Sequence, residues 1–117
     1  MCGGRLYGAT VDERQRLFNA LANLNPAVVI HGGATGADTL AGRWAAERGI
    51  PVALYRADWR THGRAAGAIR NAYMLTHGRP DHVLAAPGGT GTRDMVRRAQ
   101  AAGLTVEFVH GTVNRVT

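Results

Sequence analysis

The sequence predicts an α/β fold, a Rossmann-like open parallel sheet with helices on both faces, formed by one domain over residues 1–117. Short apolar runs alternate with stretches of helical periodicity, and glycine-rich turns separate them without any low-complexity linker. Because single helices separate the strands, we expect parallel pairing through right-handed crossovers. A chain of 117 residues, 45% of them hydrophobic, can bury a core without metals or disulfides.

Four short runs are predicted as strands. Residues 27–31, 51–55 and 82–86 are largely apolar, which is typical of parallel strands buried on both faces. Residues 104–109 alternate more regularly between apolar and polar side chains, which favours an edge strand.

Four helices are expected around these strands. Thr10 and Glu13 have the spacing of a capping box, and a second helix is expected to begin near Ala37. Third and fourth helices are predicted over about 64–77 and 92–102. The residues predicted to face the core are Leu17, Ala20, Leu21 and Leu24 in the first helix, Ala37, Leu40, Ala41, Trp44 and Ala45 in the second, and Ile69, Ala72, Tyr73 and Thr76 in the third.

The composition excludes several kinds of chemistry. The chain contains no serine and no lysine, so serine triads, Schiff-base lysines and a P-loop lysine are ruled out. Cys2 is the only cysteine, and the five histidines lack the paired spacing of a metal site. We therefore predict a cytoplasmic protein with no metal and no cofactor.

The charge indicates an anionic partner. Fourteen arginines oppose eight acidic residues, giving a net charge of +6, and the planar arginine fork suits phosphate. Composition alone leaves three possibilities open, which are nucleic acid, a nucleotide, or no specific anion. No apolar run is long enough to span a membrane, so no membrane association is expected.

Two strand-to-helix turns, at residues 31–38 and 87–94, each contain three glycines and at least one threonine. Glycine lets the backbone approach a ligand, and amides at a helix amino terminus attract anions, so both turns are predicted to hold phosphate or ribose. The alternative is that glycine merely permits a tight turn. The candidate ligand-binding residues are Gly32, Gly33, Thr35, Gly36, Asp38, Arg70, Pro87, Gly88, Gly89, Thr90, Gly91 and Thr92.

Trp59 follows the predicted strand 51–55 on the ligand side of the sheet. An indole at this place either stacks on a base or pins its loop to the body of the protein. The sequence slightly favours the structural role.

These turns resemble the SLOG superfamily, which unites DNA-processing protein A with the Lonely Guy phosphoribohydrolases, and the similarity is closest to its YspA-type branch. The resemblance implies a Rossmann-like fold that binds a nucleotide or a nucleotide-derived small molecule. The segments that carry it are Cys2-Gly3-Gly4-Arg5, His31–Asp38, Ala57-Asp58-Trp59, His62-Gly63, Ile69-Arg70-Asn71 and Pro87–Met95.

The hydrolase branch of the family implies catalytic roles for two residues. Its Arg-Lys-x-x-Met helix supplies a catalytic arginine, which corresponds to Arg70. Its Pro-Gly-Gly-x-Gly-Thr-x-x-Glu loop ends on a catalytic glutamate, but Met95 stands there and Asp94 precedes it. One residue is about 100° of helical rotation, so Asp94 is not expected to point where that glutamate would. Binding or sensing is therefore favoured over hydrolysis. Phosphoribohydrolase-like cleavage of a nucleoside monophosphate and single-stranded DNA binding remain alternatives.

The family also places an apolar strand before the Cys-Gly-Gly turn, whereas only Met1 and Cys2 precede Gly3 here. The first, central strand is therefore expected to be truncated. An unfilled gap would leave unpaired backbone groups on two neighbouring strands. We expect either direct pairing of strands 27–31 and 82–86, or a homo-oligomer that covers the gap.

Overall fold

In a computed structural model, which describes residues 1–109, helices and short parallel strands alternate along the chain. This confirms the predicted Rossmann-like α/β class. A single 3-10 turn over Gly63–Ala65 precedes α4. The elements are α1 (Val11–Leu24), β1 (Val29–His31), α2 (Ala37–Glu47), β2 (Val52–Leu54), α3 (Trp59–His62), α4 (Ala66–Gly78), β3 (His82–Ala85), α5 (Thr90–Ala101) and β4 (Thr105–Phe108).

The sheet consists of two parallel pairs with the amino terminus between them. Strand β1 pairs with β2, and β3 pairs with β4. Cys2 donates its amide to the Leu84 carbonyl at 2.9 Å and accepts from the Ala86 amide at 2.9 Å. On the other side, the Met1 ammonium donates to the Ile30 carbonyl at 3.0 Å. Met1 and Cys2 thus link the two pairs.

The predicted direct pairing of strands 27–31 and 82–86 is wrong. Met1 and Cys2 occupy the space between them, and beyond Met1 a groove of about 530 Å³ continues between β1 and β3. Two residues are enough to separate the strands because Met1 makes a hydrogen bond to β1 and Cys2 makes two to the β3 segment. The homo-oligomer remains a prediction.

Helices cover both faces of the sheet, as predicted. In β3 the side chains alternate: Leu84 joins the core cluster beneath α1 and α2, whereas Val83 and Ala85 join the cluster beneath α4 and α5. Leu17 of α1 and Trp44 of α2 are buried in the first cluster, as the helical periodicity indicates. Burial on both faces explains why β3 is largely apolar.

The expected burial of strand 51–55 is wrong. Val52 and Leu54 of β2 are 39% and 44% exposed, because among the described strands β2 pairs with β1 alone and lies at the edge.

The start of α1 is the predicted capping box. The Thr10 hydroxyl accepts the Glu13 amide at 3.1 Å, and the Glu13 carboxylate accepts the amides of Gly8 and Ala9 at 3.0 and 3.1 Å. The helix ends at Asn25, whose φ of +49° is left-handed. The bond from Thr10 satisfies one of the amides that the first turn of a helix leaves without partners, and the Glu13 carboxylate fixes the two residues that precede the cap.

The predicted inner face of α4 is wrong. Ile69 and Tyr73 are 44% and 53% exposed, whereas Asn71 and Met74 are buried. Helical periodicity predicts an inner face from apolar side chains alone. The face of the helix that packs on the core instead contains Asn71, which makes a buried hydrogen bond. Tyr73 stacks on His77 at the surface, with ring centroids 4.8 Å apart.

Within residues 1–109, no helix is long and apolar enough to cross a membrane. The same part of the chain holds no group of three histidine, cysteine, aspartate or glutamate side chains that could bind a metal ion.

Candidate functional site

A cleft of about 700 Å³ lies beyond the carboxyl ends of β1 and β3. Three glycine-rich segments meet there, which are residues 3–6, 32–35 and 89–92. The carboxyl ends of parallel strands share one edge of the sheet, so turns far apart in sequence converge. The predicted ligand-binding residues that line the cleft are Gly32, Gly33, Thr35, Asp38, Arg70, Gly89, Gly91, Thr90 and Thr92.

Three other predicted residues, Gly36, Pro87 and Gly88, are not among those that line the cleft. They instead contact the amino-terminal turn. The Pro87 carbonyl accepts the Gly4 amide at 2.9 Å, and a Cβ on Gly88 would lie 2.6 Å from the same nitrogen. Their position supports a role in seating this turn against the two loops.

The loop after β1 uses its amides internally. Asp38 accepts the amides of Gly32 and Ala34 through Oδ2 at 3.0 and 3.3 Å, and His31 accepts the Gly33 amide through Nδ1 at 3.0 Å. These amides are therefore engaged before any ligand arrives. Phosphate binding by this loop remains a prediction. The hydrogen bonding within this loop supports it less than the hydrogen bonding within the loop after β3 does.

Asp38 combines burial with an unused acceptor. It is buried and lines the cleft, and its Oδ1 has no hydrogen-bond partner within the described chain. It is also the only aspartate or glutamate among the described residues that line the cleft. A carboxylate suits a ligand donor, such as a ribose hydroxyl, better than a phosphate.

The loop after β3 leaves its amides available. Gly89 is the N-cap of α5 and provides no side-chain cap, and the first turn contains no acidic residue. The first amides of the helix, from Thr90 to Thr92, have no acceptor within it. A Cβ built on Gly89 or Gly91 meets no atom within 4 Å, so this backbone faces open space. The arrangement suits an anion.

Positive charge also lines the cleft, and Arg56 lies against the loop after β1, with its Nη1 3.5 Å from the position of a Cβ on Gly33. Arg5 and Arg56 line the cleft, and within residues 1–109 neither forms an ion pair. Both are exposed, so their guanidinium groups remain available to an anionic ligand. The sequence prediction did not include either residue among the binding residues.

Arg70 lines the cleft but is held by the protein. Its Nη1 donates to the carbonyls of Gly32 and Tyr55 at 3.0 and 3.4 Å, and its Nε donates to Asn71 at 2.9 Å. A Cβ on Gly32 would lie 2.7 Å from the Arg70 Cζ, so the glycine permits this contact. The catalytic role of Arg70 remains a prediction; its contacts support positioning of the loop.

Cys2 also lines the cleft. Burial raises the pKa of its thiol to about 11, with the charge of the amino terminus opposing this shift. The thiol is therefore protonated at neutral pH, which disfavours a nucleophilic role.

Asp94 is not among the residues that line the cleft. Its carboxylate accepts from Arg97 at 2.7 Å, Arg98 at 2.8 Å and Asn71 at 3.0 Å. Burial alone would raise the pKa of Asp94, but the hydrogen bonds from Asn71 and Arg98 and the charges of both arginines outweigh it, so the pKa lies below 3.8. Catalysis by Asp94 remains a prediction.

These contacts predict a structural effect of Asp94→Asn. We expect the free energy of unfolding to fall by about 2 kcal/mol at pH 7, because the buried bond from Asn71 and the partly buried bonds from the charged arginines are weakened. In a domain of this size, that loss lowers Tm by about 8 °C. Since the folded pKa is depressed, the stabilisation is present above the ordinary pKa and is lost as pH falls through the folded value.

The measurement is Tm of both proteins between pH 7 and pH 3. The difference should shrink towards low pH, while the exposed Asp81→Asn serves as the matched control and should melt like the unmodified protein. Equal Tm values for Asp94→Asn and the unmodified protein at pH 7 would show that this cluster is not structural.

The fold and cleft together define a Rossmann-like α/β protein whose glycine-rich turns converge at the carboxyl ends of parallel strands. The chain belongs to the YspA, cpYpsA-related SLOG family, whose model matches residues 1–62. It is also 49% identical over 108 residues to Gene 61 protein of Mycobacterium phage D29, covering 86% of this chain and 81% of that protein. No solved structure matches the chain. The resemblance to the YspA-type branch is thus confirmed.

Proposed function

We propose that this protein binds a nucleotide or a nucleotide-derived ligand, with the phosphate at the amino end of α5. One observation carries the proposal: an uncapped helix terminus opens onto a cleft that is also lined by Arg5 and Arg56, neither of which forms an ion pair within residues 1–109. The backbone amides and the helix dipole attract an anion, and arginine complements phosphate. Membership of the SLOG family is consistent with this class of ligand.

We propose that the ribose lies on the other side of the cleft, near Asp38. Asp38 lines this side, its buried Oδ1 has no hydrogen-bond partner within the described chain, and the loop amides beside it are already engaged. A sugar hydroxyl can donate to a carboxylate, but a phosphate is repelled by it. The two loops therefore have different roles, with phosphate at residues 89–92 and sugar near Asp38.

The test is a thermal-shift screen across nucleoside mono-, di- and triphosphates, cyclic nucleotides, NAD and ADP-ribose. A ligand that binds only the folded state stabilises it by about 2.7 kcal/mol at 100 times its Kd, which raises Tm by several degrees. The matched nucleosides, which lack phosphate, should produce smaller shifts. If no phosphate-bearing compound raises Tm, the proposal is wrong.

Two assays on the unmodified protein distinguish the proposed function from hydrolysis and from DNA binding. A phosphoribohydrolase would release free base from a nucleoside monophosphate, which chromatography detects; we expect none, because Asp94 is held by two arginines outside the cleft. Single-stranded DNA binding would weaken with salt at a slope of about 0.7 per neutralised phosphate. Oligonucleotide binding that exceeds mononucleotide binding at physiological salt would favour the DNA alternative.

A further inference from the structure

Trp59 exposes far more apolar surface than the other tryptophan. Trp44 of α2 is buried, and the Arg48 guanidinium carbon lies 4.5 Å from its ring centroid. Trp59 is 52% exposed and lines the cleft. An indole exposed to this extent does little to pin a loop, and it leaves a large apolar surface in contact with water.

Local structure holds Trp59 in place without covering it. Asp58 accepts the Thr61 amide at 3.1 Å, which caps α3 at the residue before the tryptophan. The Cη2 atom of the indole lies 3.5 Å from the position of a Cβ on Gly67, so one edge of the ring rests near α4. The aromatic contacts of the described chain involve Tyr55, Tyr73 and His77, and none involves Trp59.

The amino-terminal turn adds a second apolar group. Leu6 is 89% exposed and lines the same cleft. The cleft is thus amphipathic, with an aromatic and an aliphatic side chain in addition to the unpaired Arg5 and Arg56. A sugar phosphate would use the charges and leave the apolar groups in water, whereas a nucleotide matches both.

We propose that Trp59 is the stacking platform for the base of the bound nucleotide, so the ligand carries a planar nucleobase and is not a simple sugar phosphate. This inference rests on the proposed function. Base–aromatic stacking tolerates any base, because every base has a π face. The platform therefore contributes affinity for nucleotides as a class, and other contacts select among the bases.

The experiment compares ribose 5-phosphate with AMP, GMP, CMP and UMP by calorimetry. Ribose 5-phosphate has the sugar and the phosphate but no base. In the unmodified protein, we expect at least one nucleotide to bind about 5- to 150-fold more tightly than ribose 5-phosphate, which is the range that stacking gives. In Trp59→Ala that ratio should fall to about 2-fold or less, while binding of ribose 5-phosphate is unchanged.

Two variants control for structure. Trp59→Phe keeps an aromatic face and should retain most of the preference for nucleotides. Tyr73→Ala removes an aromatic side chain of similar exposure that does not line the cleft, and it should leave every affinity unchanged. Because Trp59 is the more exposed of two tryptophans, nucleotide should also change the fluorescence of the unmodified protein but not of Trp59→Phe.

The outcomes separate this inference from the proposed function. Equal affinities for ribose 5-phosphate and all four nucleotides, or a preference that survives in a folded Trp59→Ala, would overturn the stacking platform and leave phosphate binding intact. Failure of all five compounds to bind would overturn the stacking platform, whereas the proposed function is overturned only if no phosphate-bearing compound of the thermal-shift screen raises Tm. A preference lost in Trp59→Ala and retained in Trp59→Phe supports the platform.

Discussion

Gly89→Val is expected to abolish ligand binding while the protein still folds. Gly89 has a negative φ of −97°, so the site does not require the left-handed conformation that favours glycine, and a Cβ there meets no atom within 4 Å. The residue lines the cleft at the amino end of α5, so the branched side chain would occupy the space that the proposed phosphate needs. We expect an affinity loss of at least about 100-fold, or ~2.7 kcal/mol.

The cost to stability should be small by comparison. Replacing a glycine N-cap with valine lowers stability by about 1 kcal/mol, because valine is a poor N-cap. Ala101→Val, at the exposed far end of α5, is the matched control and should bind ligand normally. Calorimetry with the best ligand from the thermal-shift screen gives the affinities, and circular dichroism gives Tm.

Substitution of the neighbouring Gly88 should give a different result. A Cβ on Gly88 would meet the Thr92 hydroxyl and lie 2.6 Å from the Gly4 nitrogen, so Gly88→Val should unfold the protein instead of merely blocking the cleft. A folded Gly89→Val that binds the ligand as tightly as the unmodified protein would refute the phosphate site at α5.

The fold could be predicted because its signals are local. The apolar runs that became β1 and β3, the capping box at Thr10 and the glycine turns each depend on a few adjacent residues. The exception is α4, where Asn71 is buried because Asp94 and Gly91 accept its amide hydrogens. Burial of a polar side chain depends on a partner twenty or more residues away, which helical periodicity does not report.

The site could be predicted only in part, for a similar reason. Loops 31–38 and 87–94 are evident from their glycines, but the difference between them depends on which amides are already bonded in the folded chain. The spacing of Asp94 with Arg97 and Arg98 was readable as helical ion pairs. The positions of Arg5 and Leu6 in the cleft could not be predicted, because Met1 and Cys2 bring these residues into the cleft only when the two strand pairs assemble.

Gly36→Ala should destabilise the protein more than any surface substitution, because Gly36 joins the amino-terminal turn to the loop after β1. Its φ is +80° and its ψ is −127°, a conformation that alanine strongly disfavours. A Cβ there would meet the Gly4 carbonyl oxygen and lie 2.5 Å from the Arg5 carbonyl oxygen. Both atoms belong to backbone that also accepts bonds from α2 and its loop, including the Ala37 amide at 3.3 Å, so neither can move freely.

We expect Gly36→Ala to lose about 4 kcal/mol, since backbone strain and overpacking add, and to lower Tm by roughly 15 °C. Gly103→Ala is the control, because Gly103 has the same φ of +80° but a Cβ there meets no atom within 4 Å. It should lose only about 1–2 kcal/mol, which is the cost of the left-handed conformation. Denaturant unfolding of both variants gives the two free energies, and their difference measures how tightly residues 3–6 rest on α2.

Because this turn carries Arg5 and Leu6 into the cleft, folded Gly36→Ala should also bind nucleotide more weakly at low temperature than Gly103→Ala. Equal losses of stability in the two variants would show that the turn is not seated against Gly36, and the placement of Arg5 in the cleft would then be wrong.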